Sequence, residues 1–90
     1  MMISARGSFS FTPKWKEELV CETPWAKFTV EMTMGRLHVY FPNEEKWKSS
    51  VPEHLHDKWA AIFAELEPWC QKHDTLFSTD SSAWIEFANE

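Results

Sequence analysis

The stretch Lys27-Phe28-Thr29-Val30-Glu31-Met32-Thr33-Met34-Gly35-Arg36-Leu37-His38-Val39-Tyr40-Phe41-Pro42 decides the fold. Phe28, Val30, Met32 and Met34 alternate with polar residues, and Leu37, Val39 and Phe41 resume the alternation after Gly35-Arg36. A period of two places all seven on one side of a pleated ribbon. The spacing predicts strands over 27–34 and 37–41, joined by a tight loop at Gly35-Arg36. Glycine first in such a loop suits a type II′ turn, which needs a positive φ there. The implied register sets Met34 against Leu37, Met32 against Val39 and Val30 against Phe41. Glu31 then lies opposite Tyr40, and Thr33 opposite His38, on the other side. A slip by one residue would bring one strand's apolar set onto its partner's polar set. Pro42 lacks a ladder donor and ends the second strand.

Upstream, Phe9 and Phe11 alternate with hydroxyls and predict a strand over 8–12. Thr12-Pro13 reads as an N-cap followed by proline at the first helical position. That predicts a short helix over 13–20; an extended continuation through Leu19-Val20-Cys21 is the alternative. Downstream, Asn43 to Ser49 reads as a polar connector, and Ser50-Val51-Pro52-Glu53 as a capping box. From Leu55 at 100° per residue, Trp59, Ile62, Phe63, Leu66, Trp69, Cys70 and His73 fall within an arc of about 120°. This predicts one long amphipathic helix over 51–73. Pro68 removes a helical hydrogen bond, so the helix either kinks there or stops at Glu67. The in-phase residues beyond the proline favour the kink. Leu76-Phe77 reads as a short extended piece, Ser78 to Ser82 as a polar turn, and Ala83 to Phe87 as a last strand over 83–88. The fold class is α+β, a small mostly antiparallel sheet covered on one face by that helix.

Ninety residues, 43% of them hydrophobic, accommodate a single core and therefore one domain. No apolar run approaches the ~20 residues that span a bilayer, and Met1-Met2-Ile3-Ser4 lacks a signal-like apolar region. Two cysteines, Cys21 and Cys70, do not make a disulfide framework. Together these predict a cytoplasmic protein with reduced thiols. The net charge of −5 is unevenly distributed. Residues 1–48 hold seven basic and six acidic side chains, and residues 49–90 hold two and eight. An acidic half favours a basic partner surface over a phosphate backbone.

The candidate chemistry is sparse. His54-x-His56 and Cys70-x-x-His73 offer metal-ligand types. However, His54 and His56 diverge on a helix, and Cys70 and His73 fall in the apolar stripe. Neither a metal site nor a cofactor is predicted. Glu31, His38 and Tyr40 share the polar side of the hairpin and supply acid–base groups for a ligand or reaction. Lys14-Trp15-Lys16 and Lys46-Trp47-Lys48 resemble base-stacking platforms. Glu17, Glu18, Glu44 and Glu45 cancel their charge, which argues against nucleic acid and leaves Trp15 and Trp47 either as boundary residues whose rings pack while lysine stems cover them or as interface anchors. The six tryptophans, the acidic half and the lack of a catalytic motif point to an acidic protein-interaction module of the inhibitor or immunity type. A small-molecule binder or enzyme using Glu31, His38 and Tyr40 is the alternative. A homodimer joined through a sheet edge is a third arrangement.

Overall fold

A computed structural model describes residues 9–14 and 17–88. In chain order the elements are β1 (Ser10–Lys14), β2 (Glu18–Glu22), β3 (Lys27–Thr33), β4 (His38–Pro42), α1 (Glu44–Ser50), a 3-10 helix (Glu53–Lys58), α2 (Trp59–Lys72), β5 (Leu76–Asp80) and β6 (Ile85–Ala88). The architecture is α+β, as the periodicity predicts. The strands form one sheet in the order β1-β2-β3-β4-β5, with β6 added beside β3. All pairings are antiparallel except β4 with β5. Parallel neighbours need a long crossover, and here α1, the 3-10 helix and α2 provide it.

The hairpin register is the predicted one, with Glu31 opposite Tyr40, Met32 opposite Val39 and Thr33 opposite His38. Two details differ. Gly35 does not have a positive φ, so the turn is not type II′; the Thr33 hydroxyl donates to the Arg36 carbonyl at 2.7 Å and closes it. Val30 pairs with Ile85 rather than Phe41. The β3–β4 ladder ends at Glu31 and Tyr40, and β6 occupies the edge of β3 from Lys27 to Val30.

Residues 13–20 do not form a helix. Pro13 and Lys14 end β1, and Leu19, Val20 and Cys21 lie in β2, in an antiparallel pair that matches Phe11 with Cys21 and Pro13 with Leu19. Proline is tolerated there because β1 is an edge strand. The connector after Pro42 is helical instead. Asn43 Oδ1 accepts from the Lys46 amide at 2.8 Å, Glu44 and Glu45 occupy the first turn, and Lys48 pairs with Glu44 at 3.6 Å. The proposed capping box at Ser50 does not form. Ser50 ends α1, and Pro52 precedes the 3-10 helix without a side-chain cap.

The long helix therefore begins as a 3-10 segment and becomes α-helical at Trp59; it runs through Pro68 to Lys72. It ends in a Schellman arrangement. Asp74 has a φ of 54°, its amide donates to the Gln71 carbonyl at 3.2 Å, and the Thr75 amide donates to the Cys70 carbonyl at 2.8 Å. Leu76 to Asp80 then continue as a strand through most of the expected polar turn.

One core lies between the sheet and the helices. Leu19, Cys21, Phe28, Val30, Met32, Val39 and Phe41 come from the sheet, and Trp47, Val51, Leu55, Ile62, Leu66 and Cys70 from the helical layer. His73, placed in the apolar stripe by the helical wheel, is instead exposed, and its ring packs on Trp69 at 4.3 Å. Two indoles fasten the layers at polar points. Trp47 Nε1 donates to the Leu55 carbonyl and Trp59 Nε1 to the Pro42 carbonyl, each at 2.9 Å. No helix among the described residues is long and apolar enough to cross a membrane.

Candidate functional site

The pleat that buries Phe28, Val30 and Met32 turns Thr29, Glu31 and Thr33 to the other face. The register aligns Glu18 and Val20 of β2, His38 and Tyr40 of β4, Ser78 of β5 and Glu86 of β6 with them. Glu18, Val20, Thr29, Glu31, Thr33, His38, Tyr40 and Ser78 are half-buried, the level set by neighbouring strands on a single sheet surface. The buried residues of the helical layer all belong to the core on the opposite face. The polar face is thus the open side of the molecule among the described residues.

Glu31, His38 and Tyr40 all lie on this face, as the hairpin reading places them. His38 and Tyr40 stack with centroids 4.1 Å apart and ring planes within 11°. His38 Nε2 lies 2.6 Å from Ser78 Oγ. Ser78 was missed because it reads as part of a polar turn; only the parallel pairing that sets Tyr40 opposite Ser78 reveals it. Glu31 belongs to a different cluster. Its Cα partner on β2 is Glu18, and with Glu17 and Trp84 the two glutamates line a shallow pocket of about 270 Å³. Trp84 is 43% exposed. Glu17 has a φ of 67°, so the loop before β2 enters the left-handed region at this carboxylate.

Ion pairs among the described residues join Lys27 to Glu22, Lys48 to Glu44 and Lys58 to Asp57. None of them engages Glu17, Glu18 or Glu31. Halving the chain by sequence places the acidity in residues 49–90, yet this carboxylate group comes from the first half. It is assembled by the β2–β3 register, which a linear charge count does not contain.

The remaining candidates are placed elsewhere. Trp47 is completely buried, edge-on to Phe28 at 5.3 Å, so it is a core residue and neither an interface anchor nor a stacking platform. Trp15 lies outside the described residues. Trp25 is exposed, but its ring already receives the edge of Phe9 at 5.7 Å and the Lys58 ammonium at 5.0 Å. His54 is exposed, and His56 Nε2 lies 3.2 Å from the Val51 carbonyl. No group of three or more His, Cys, Asp or Glu side chains able to hold a metal ion occurs among the described residues. Cys21 and Cys70 are buried free thiols. Burial pushes both upward, Cys70 to about 12 with Glu67 adding to the effect, so neither supplies the accessible thiolate that nucleophilic chemistry needs.

Comparison with protein-family models, with curated proteins and with solved structures finds no match to this chain.

Proposed function

We propose that this protein is a cytoplasmic interaction module of the inhibitor or immunity type that binds a basic surface of another protein through the open face of its sheet. The observation that carries this reading is the exposed Trp84 set among Glu17, Glu18 and Glu31 on a face that no helix covers among the described residues. An exposed indole supplies apolar contact area, as tryptophan does at interface hot spots. The surrounding carboxylates supply steering and selectivity for cationic partners. Tyr40 and His38 extend the same surface across β4. Affinity capture followed by charge reversal tests the reading. Glu31→Lys abolishes the complex, whereas Asp57→Lys, in the helical layer on the other side, preserves it. A complex that survives Glu31→Lys and is lost with Asp57→Lys places the interface on the helices and defeats the proposal.

A second reading rests on the 2.6 Å contact between His38 and Ser78. An imidazole within hydrogen-bond reach of a hydroxyl is the minimal nucleophile–base pair of acyl transfer, and it lies on the same open face, near Glu31 and Tyr40. Hydrolysis of an activated ester above background, lost in both Ser78→Ala and His38→Gln, supports a small-molecule or enzymatic role. A rate equal to background in the wild-type protein removes it.

A further inference from the structure

We propose that two copies of this chain join through the free edge of β5, antiparallel about Ser78, so that the sheet continues from one protomer into its partner. Among the described residues β5 ends the run β1-β2-β3-β4-β5, and no strand pairs with its outer side. In a parallel pair, successive residues turn their N–H and C=O alternately toward the neighbouring strand and away from it. The Leu76 amide donates to the Leu37 carbonyl at 3.0 Å, and the Asp80 carbonyl accepts from the Asn43 amide at 3.1 Å. Leu76, Ser78 and Asp80 are therefore the inward set, and Phe77 and Thr79 turn both of their backbone groups outward.

The edge strands are not equivalent. β1, at the other end of the run, carries Pro13 and Lys14, and β6 is four residues long. Proline, lysine and shortness are devices that keep an edge from pairing. β5 uses none of them: its five residues hold a single charge, Asp80, at the very end. Apolar side chains also flank it on both faces. Leu76 is 47% exposed on the open face, and Leu37, joined to it by that backbone hydrogen bond, is 37% exposed. On the core face Phe77 and Phe63 are half-buried with ring centroids 5.3 Å apart, so the aromatic core reaches the surface at this edge.

Charge selects a second copy in antiparallel orientation. The Leu76 end of the edge carries Arg36, next to Leu37, and Lys72, which ends α2, with Asp74 beside them. The other end carries Asp80 and, just past Asn43, Glu44 and Glu45, with Glu44 held by Lys48. A twofold axis at Ser78 sets each basic end against the partner's acidic end, twice over. A parallel arrangement would instead stack Asp80 beside Asp80. In the antiparallel register Phe77 and Thr79 exchange both backbone bonds with the partner's Thr79 and Phe77, so every outward group is used. Because β1 is guarded, the assembly closes at two protomers. The two Ser78 side chains meet at the axis on the open face, and the pairing does not depend on what that face binds.

The test is the mass of the full chain by sedimentation equilibrium, together with amide hydrogen exchange. The wild type is expected to shift with concentration from 10.6 kDa toward twice that mass. Thr79→Pro removes an outward N–H without touching the β4–β5 ladder and is expected to stay monomeric, whereas Ser10→Lys on β1 still dimerises. Exchange decides the matter even if the proline variant does not fold. In the wild type the Phe77 and Thr79 amides are expected to slow by roughly tenfold or more between dilute and concentrated samples, while the Ser78 amide is protected in both. A wild type that stays monomeric at the concentrations used for NMR overturns the inference. So does a dimer that survives Thr79→Pro or is lost with Ser10→Lys, and so do Phe77 and Thr79 amides whose exchange ignores concentration.

Discussion

Gly35 and Asp74 have the side chains each other's position calls for. Gly35 lies in a hairpin loop that does not use a positive φ, and a Cβ built on it meets nothing within 4 Å. Its conformational freedom is therefore spent in the unfolded chain without return in the folded one. Gly35→Ala is expected to stabilise by about 0.4–1 kcal/mol, seen as a higher urea midpoint with an unchanged slope; a lower midpoint contradicts the turn geometry. Asp74 is the reverse case. It holds the left-handed position of the Schellman motif, where an L side chain crowds the carbonyl and glycine does not. Asp74→Gly relieves that strain and gives back part of the gain as unfolded-state entropy, so a net stabilisation of about 0.5–1 kcal/mol is expected. Thermal unfolding at neutral pH reads it as a rise of a few degrees. Sequence reading assigned the glycine the strained turn because type II′ loops demand it. It had no means to see that the strained positions of the described chain fall on Glu17 and Asp74.

Helix α1 shows where periodicity stops being informative. Only Trp47 among its residues is buried, so the segment has no apolar stripe and reads as a connector. Its signals were of another kind: an Asn43 N-cap, acidic residues in the first turn, and Glu44 four residues before Lys48. The Ser50 to Glu53 capping box had the right letters, but the chain there is already leaving one helix and entering a 3-10 turn. These two readings make opposite predictions. Asn43→Ala removes a cap bond and is expected to cost about 1 kcal/mol, while Ser50→Ala, which caps nothing, is expected to change stability by less than about 0.5 kcal/mol. Paired thermal melts distinguish them, and equal effects would count against the helix boundary. By contrast the β3–β4 register was legible from Glu31 to Thr33, because one face is apolar on both strands and a slip would expose it. Strands β1 and β2 were harder to see. Pro13 mimics a helix start, and only the pairing of Leu19 with Val30 and Cys21 with Phe28 commits the segment to the sheet. Of the candidate site, Glu31, His38 and Tyr40 were visible from alternation, whereas Glu17, Glu18, Ser78 and Trp84 depend on strand neighbours distant in sequence.

The sheet and the helical layer meet at two thiols, Cys21 on β2 and Cys70 on α2, and this makes the core sensitive to alkaline pH. Both are buried, and withdrawal from water disfavours the thiolate; Cys70 is raised from its ordinary 9.0 to about 12, and Cys21 is raised for the same reason with Cys70 as a second cause. Well below pH 9 the thiols are protonated in both folded and unfolded chains and do not make stability depend on pH. Above it the unfolded chain releases these protons while the folded chain keeps them, so stability falls with rising pH until the folded thiols themselves titrate. Urea midpoints measured between pH 7 and pH 10.5 are therefore expected to decline from about pH 9. The decisive comparison is with Cys21→Ala/Cys70→Ala, which leaves every other side chain in place. Truncating two buried side chains lowers its stability at every pH, but its alkaline decline should be shallower than that of the wild type. Equal slopes would mean that the thiols ionise as easily inside the fold as outside it, and would overturn the placement of both cysteines in the core. The same burial predicts that at pH 8 a thiol reagent labels the wild-type protein only as fast as the sheet and helix part, a rate that rises with added urea, while unfolded protein reacts at once.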